Sequence, residues 1–382
     1  MRHPAPALPA GGVSAPWTRP TLARGEWIAA LSVFALIGVL VPLAHVLLSE
    51  GSALRPSTFL VTLVGKILCY ATLAVALDLI WGFAGILSLG HGLFFALGGY
   101  AFGMYLMRQI GREGSYQSDL PDFMVFLDWK QLPWFWQGTD QAWWALVLVV
   151  AVPGLLALVF GWFAFRSRIK GVYLSIVTQA LTYAAMLLFF RNETGFGGNN
   201  GFTDFKRMFD LPITSPGMRA GLLAASALWL FLAFVLCRHL VRSKFGRVLE
   251  AIRDAEARVM FLGYDPVPYK LVAWVISALL CALAGALYVP QVGIINPSEM
   301  SPANSIEIAV WVAVGGRGTL IGPVIGAFLV NLAKSFFTQA FPQLWLFFLG
   351  GVFVLVTLAL PGGVISLLKR RSADEASSGG GK

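Results

Sequence analysis

The chain has 382 residues, of which 57% are apolar and only 12% are Asp, Glu, Lys or Arg, against roughly 25% charged in an average soluble domain. That composition, laid out in repeated uncharged runs of about 18 residues or more, excludes an ordinary cytosolic enzyme and marks an all-α, polytopic membrane protein. The net charge of +9 fits nucleic acid, anionic lipid or membrane topology equally well until the charges are placed.

Residues 1–26 are rich in Pro and Ala, carry Arg2, Arg19 and Arg24, and read as a disordered cytoplasmic segment. The apolar run from Trp27 to Leu48 is too long for a signal-peptide core and lacks a small-residue cleavage site, so it is expected as an uncleaved first span. Further spans are expected at 58–80, 83–107, 143–165, 171–190, 218–240 and 270–290. A Gly-rich apolar block follows at 304–335, then a last span at 343–367 and a disordered cytoplasmic tail, 369–382. Residues 27–368 thus form one transmembrane domain, with a cytoplasmic loop at about 241–269.

With the N-terminus inside, Arg166, Arg168 and Lys170 and the seven basic residues from Arg238 to Lys270 face the cytoplasm, as the positive-inside rule requires. Segment 108–142 then lies outside, with Trp129, Trp134, Trp136, Trp143 and Trp144 placed for an outer aromatic belt. The positive surplus is topological, and no nucleic-acid partner is implied. One crossing by the block 304–335 would put Lys369, Arg370 and Arg371 outside; two put them inside and give about ten spans (8–10) with both termini cytoplasmic. Two full crossings need roughly 60 Å of helix and this block supplies about 48 Å. Short or re-entrant helices broken at Gly315, Gly316 and Gly318 reconcile the lengths, since irregular backbone survives at membrane depth where protein or a wet cavity satisfies it.

Gly82-x-x-Gly85-x-Leu87 and Gly315-x-x-Gly318-x-Leu320 share one spacing in opposite halves, a weak internal repeat of the kind found in transporters, though chance in a Gly-rich chain gives the same spacing. Gly99 with Gly103, and Gly318, Gly322 and Gly326, have small-x-x-x-small spacing and read as helix packing. Cys69, Cys237 and Cys281 sit in apolar runs and read as core residues, and the scattered histidines give no metal spacing. No cofactor is implied for this chain. Polar groups inside spans are pathway candidates because unpaired charge in hydrocarbon is costly. Lys66 and Asp78 stand out, about 18 Å apart on one helix, with Gln179, His91, Ser88 and Glu307 behind them. Each also has a structural reading: Lys66 can snorkel and His91 can pack.

Residues 246–262 carry six charges in 17 positions and cannot span a bilayer, yet Val248, Ile252, Ala255 and Val259 recur at helical spacing. This is an amphipathic cytoplasmic helix. It could lie on headgroups, but Glu250, Asp254 and Glu256 suit a groove on another protein better.

Glu250-Ala251-Ile252-Arg253-Asp254, followed by Leu262-Gly263-Tyr264, resembles the cytoplasmic loop of ABC-importer permeases. Asp78-Leu79-Ile80-Trp81-Gly82, Leu87-Ser88-Leu89-Gly90-His91-Gly92 and Ala313-Val314-Gly315-Gly316-Arg317-Gly318-Thr319 resemble the branched-chain amino-acid type of such permeases. Segments 191–204 and 296–307 resemble its urea branch. The resemblance implies a urea importer subunit of the bacterial inner membrane, with a branched-chain amino-acid permease as the alternative; a reading of another class, outside the resemblance, is a passive channel or ion-coupled carrier in which Lys66 and Asp78 carry the coupling. The resemblance also implies Arg247, Glu250, Ala251, Ile252, Arg253, Asp254 and Gly263 as residues coupled to an ATPase. The polar groups inside spans and the glycine breaks place a candidate pathway near Lys66, Asp78, Gly82, Gly85, Ser88, His91, Gln179, Glu307, Gly315 and Gly318, and the outer loop with Asn192, Glu193, Asn199 and Asn200 reads either as docking surface for the periplasmic solute-binding protein that the resemblance implies or as a plain connection. The other implied partners are a second homologous permease, the lipid bilayer and two ATPase subunits that bind ATP and Mg. No G-x-x-x-x-G-K-S/T loop occurs in the sequence, so this chain lacks that route to ATP hydrolysis and is expected not to be an enzyme.

Overall fold

The computed structural model describes residues 24–49 and 51–341 and, beyond them, 343, 344, 347, 348, 350–352, 354, 358 and 362–366. Residues 1–23 and the tail 369–382 lie outside the described residues, and the span expected at 343–367 lies only partly within them.

The described chain is predominantly helical, with only four two-residue strands. Helix α1 (Arg24–Ala35) runs through a π turn, Leu36–Leu40, into α2 (Val41–Leu47). Helix α3 (Thr58–Asp78), capped by the Ser57 hydroxyl, which accepts from Leu60 N–H, runs into a second π turn, Leu79–Phe83. Then come α4 (His91–Arg108), α5 (Asp122–Phe126), α6 (Ala142–Arg166) and α7 (Val172–Phe189). After α8 (Pro216–Arg242) come α9 (Lys244–Phe261), α10 (Pro266–Val292), α11 (Pro302–Gly315) and α12 (Ile321–Ala340). Helices α8, α10 and α11 start alike: Ser215, Asp265 or Ser301 caps the first turn and a proline follows, where its missing N–H costs nothing.

Seven of the described helices are long and apolar enough to cross a membrane. In the most apolar 18 residues of α3 with its π turn and of α10, 72% and 67% are buried, against 22% in α6. So α3 and α10 form the centre, and α6 belongs to the lipid-facing shell. Helix α4 runs parallel to α10 at backbone contact: a Cβ at Gly98 would lie 2.0 Å from the Ala282 carbonyl oxygen, and one at Gly285 would lie 1.9 Å from that of Phe95. Without a hydrophobic drive between helices in lipid, such close approach is what holds them together.

Three departures from regular helix shape the interior. The chain leaves the π turn after α3 and climbs back through irregular residues 84–90. It reaches His91, whose Nε2 is 2.8 Å from Ser277 Oγ, partway along α10; Ser277 in turn donates to the Ala76 carbonyl. The span expected from residue 83 therefore begins at His91, because Gly85, with φ +72°, leaves the helical region. At the opposite end, strand β1 (Phe202–Thr203) pairs antiparallel with β4 (Ile294–Ile295), while β2 (Arg207–Met208) and β3 (Leu211–Pro212) form a small hairpin. From β4 the chain dives inward: Ile295 packs against Gly99 and Gly103, whereas the Glu299 carbonyl lies 2.9 Å from the place of a Gly92 Cβ. That is a descent of about 10 Å along α4.

The third departure, at residues 316–320, separates α11 from α12 where the glycines lead one to expect it. With 14 residues, α11 is about 21 Å long and too short to cross alone. It starts from the re-entrant loop, which resolves the shortage of length in block 304–335. Helix α9 is the amphipathic helix expected from sequence, but Ala255 (φ −156°, ψ 70°) interrupts it. Trp136, expected in an interfacial belt, is buried in a cap on the β1–β4 end: its indole N–H donates to Gly195 O, and Phe135, Phe196 and Phe202 surround it.

Replacing Gly285 with Val should force α4 and α10 apart and cost about 1–3 kcal/mol, seen as a lower thermal midpoint of the detergent-purified protein. An unchanged midpoint would contradict the close crossing.

Candidate functional site

Asp78 ends α3 with no exposed surface, and its two oxygens accept from the backbone of a distant turn: Oδ1 from Gly318 N–H (2.7 Å) and Oδ2 from Leu320 N–H (3.0 Å). That turn is bent hard, with φ of 122° at Gly316, 76° at Gly318 and 60° at Leu320. Leu320 carries a Cβ in the left-handed region, a conformation costing roughly 1–2 kcal/mol, and the carboxylate holds it there. One turn beyond Asp78, a Cβ on Gly82 would stand 2.7 Å from Gly318 Cα and N. The two matching glycine motifs thus meet at Gly82 and Gly318, while Gly85 faces Arg253 and Gly315 faces Gly322.

A third element reaches this junction. Arg253 of α9 donates from Nη1 to the Gly82 carbonyl (2.7 Å) and from Nε to Asp254 Oδ1 (2.8 Å), and its stem covers Gly85, leaving no room for a side chain there. Around it, Leu249, Ile252 and Val259 of α9 are buried, while Arg247, Ala251, Asp254 and Arg258 are exposed and Glu250 is half-buried. Glu256 accepts from Lys170, between α6 and α7, and from Lys270, at the start of α10, both at 2.7 Å. Burial disfavours its charge, but the two lysines outweigh burial and hold its pKa below the ordinary value. Its contribution to holding α9 is therefore complete at neutral pH. It is lost only as pH falls below the unfolded value of about 4.3, through the depressed folded one.

Helix α9 ends in a left-handed cap: Gly263 (φ +86°) donates to Met260 O, and Tyr264 donates to Val259 O, the pattern that satisfies a helix C-terminus. Beside it Phe261 and Leu262 stand 91% and 77% exposed, an apolar tip outside the membrane bundle.

Nearer the β1–β4 end, α3, α4, α11 and α12 enclose a cavity of about 20 Å³ whose walls include Tyr70, Phe95, Glu299, Glu307, Trp311 and Lys334, room for about one water. Lys334 Nζ donates to Glu307 Oε2 (2.7 Å). Tyr70 donates to Tyr288, which donates to Glu299 Oε1 (2.9 Å). Lys66 Nζ lies over the Tyr70 ring, 5.5 Å from its centre.

The ten pathway candidates therefore fall in separate places. Asp78, Gly82, Gly85, Gly315 and Gly318 build the junction, Glu307 lines the cavity, and Lys66 lies over the ring of Tyr70, itself a lining residue. His91 bridges Ser88 and Ser277, its ring edge-on to Phe94 and Trp274. Gln179, half-buried on α7, has no hydrogen-bond partner for its amide among the described residues. Asn192, Glu193, Asn199 and Asn200 are exposed on the cap. Sequence reasoning missed Lys334 and the clamp at Glu256. Lys334 was findable as the one charged residue in the apolar run of α12, a signal as strong as that of Lys66.

A family profile described as branched-chain amino acid transport system / permease component matches residues 59–357. The high-affinity branched-chain amino acid transport system permease protein LivM of Escherichia coli is 24% identical over 78% of this chain and 68% of its own length. A probable branched-chain amino acid transport permease protein LivM from Methanocaldococcus jannaschii is 25% identical over 69% and 77%. The autoinducer 2 import system permease protein LsrC of an Enterobacter species is 26% identical over 59% and 65%. No solved structure matches.

Asp78→Ala should leave two backbone donors unpaired and cost about 1–3 kcal/mol for each, while Asp78→Asn, which keeps an acceptor, should lose less. Thermal unfolding in detergent separates the three proteins; equal midpoints would contradict the role given to Asp78.

Proposed function

The chain belongs to the branched-chain amino acid transport permease family, and from that premise we propose that it is the membrane-spanning subunit of a binding-protein-dependent ABC importer for amino acids. It sits in the bacterial inner membrane with both termini cytoplasmic, beside a second permease and above two ATPase subunits that bind ATP and Mg. The cap, with Asn192, Glu193, Asn199 and Asn200, receives the solute-binding protein. The observation that carries this reading is α9: a charged helix outside the bundle, with an outward face and an apolar tip, joined by Arg253 to the break that follows α3.

In this reading the ATPase grips the outward face of α9 at Arg247, Ala251 and Asp254 and the tip, Phe261 and Leu262, at the Gly263 cap. Displacement of α9 pulls on Gly82 through Arg253. Because Gly82 and Asp78 hold the 316–320 turn, the pull reaches α11 and α12, which carry Glu307 and Lys334 at the cavity. Nucleotide then shifts the chain between two states by its differential affinity for them, as any such coupling requires. An ion-coupled carrier using Asp78 is disfavoured: both its oxygens are committed to backbone N–H groups, and the residue has no exposed surface.

Urea, the solute implied by segments 191–204 and 296–307, gives way to amino acids because the relatives that cover most of the chain are named for branched-chain amino acids. The complete complex in proteoliposomes should accumulate leucine in an ATP-dependent way that excess urea leaves untouched. Urea accumulation insensitive to leucine would overturn the assignment. Gly263→Trp, strained at positive φ, should insert normally and abolish uptake; uptake at the wild-type rate would remove the tip of α9 from the coupling surface.

A further inference from the structure

The cavity between α3, α11 and α12 holds polar capacity that the fold leaves unused. Glu307 is 95% buried, with 5% of its surface exposed, and while Oε2 takes Lys334, Oε1 has no hydrogen-bond partner among the described residues. The Trp311 indole N–H, on the same helix one turn further on and 97% buried, likewise lacks an acceptor among the described residues. Lys66 has no ion-pair partner among the described residues, only the face of Tyr70, yet it stands within electrostatic reach of Glu299, Glu307 and Lys334. An unmet acceptor and an unmet donor on two residues that line one cavity, with an ammonium over the ring of a third, Tyr70, are features that packing does not need and a ligand does.

We propose that this cavity is a binding site, within this chain, for a small zwitterion bearing an ammonium and a carboxylate on one carbon. The inference rests on the importer reading above. Lys66 and Lys334 against Glu299 and Glu307 make a cluster with no net charge. A zwitterion entering it leaves the balance intact, whereas a cation or an anion would add an uncompensated charge in the bundle interior. The ligand's ammonium meets Glu307 Oε1, and its carboxylate takes Lys66 and the Trp311 N–H. The walls from Leu73, Phe95 and Ile308 favour an uncharged side chain.

As it stands the cavity has room for about one water, so occupancy requires α11 and α12 to part at Glu307–Lys334. Both helices hang from the 316–320 turn that Asp78 holds, which ties admission of the ligand to the same junction that α9 reaches.

Equilibrium binding of labelled leucine to the purified complex in nanodiscs, without nucleotide and without the solute-binding protein, tests this directly. Leucine should bind, norleucine should displace it, and leucinamide, a cation, and 4-methylpentanoate, an anion, should compete at least tenfold less well. Glu307→Gln should weaken leucine binding at least tenfold. The proposal is overturned if the wild-type complex binds no leucine, if leucinamide and 4-methylpentanoate compete as well as norleucine, or if Glu307→Gln binds as wild type does. Should that variant fail to assemble, the ligand series on the wild-type complex decides alone. ATP-driven leucine uptake that persists beside any of these failures leaves the importer reading standing and removes only the site. A wild-type complex that accumulates no leucine removes the reading itself.

Discussion

The carboxylate of Asp78 is the constraint on which the interior depends. A buried negative charge in a membrane bundle is tolerable only with donors to meet it, and here both donors are backbone N–H groups of a turn 240 residues away in sequence. That pairing fixes a strained turn, brings Gly82 against Gly318, and sets where α11 ends and α12 begins. Only glycine fits at Gly82, because any side chain would meet Gly318 backbone. Sequence features that look like separate signs of a transporter are thus parts of one contact between the two halves of the chain.

From that contact two regions follow. Towards α9, Arg253 closes over Gly85 and bonds to Gly82, while Glu256 ties α9 to Lys170 and Lys270. The helix therefore moves with the bundle. Towards the β1–β4 end, α11 and α12 carry Glu307 and Lys334 to the small cavity. Irregular backbone at 84–90, 293–301 and 316–320 is mostly buried or half-buried against protein, with Gly85, Ser298 and Arg317 exposed, in keeping with what membrane depth demands. Several candidates of the pathway, Ser88 and His91 among them, are engaged in holding one such segment to α10.

Much of this was legible in the sequence, and for identifiable reasons. Spans follow from uninterrupted apolar length, α9 from charge density at helical period, and the break at 316–320 from Gly316 and Gly318. What escaped depends on contacts between residues far apart. Nothing local tells that the chain after Gly85 stays irregular to His91, since residues 84–90 are as apolar as a helix. The re-entry after β4 is hidden in a polar loop that reads as surface. Trp136 is indistinguishable by spacing from exposed Trp134 and becomes core only by meeting Phe196 and Phe202. The interruption at Ala255 has no sequence signal, because alanine is a strong helix former. Lys334 is different: its lone charge was a signal available all along.

Because the account joins α9 to the interior through one hydrogen-bonding side chain, Arg253→Ala in the complete reconstituted complex is the most direct test, read as solute uptake and ATP hydrolysis side by side. Loss of uptake with hydrolysis retained is the predicted result, since Glu256 still holds α9 in place while its grip on Gly82 is gone. Uptake and hydrolysis in the wild-type ratio would contradict it.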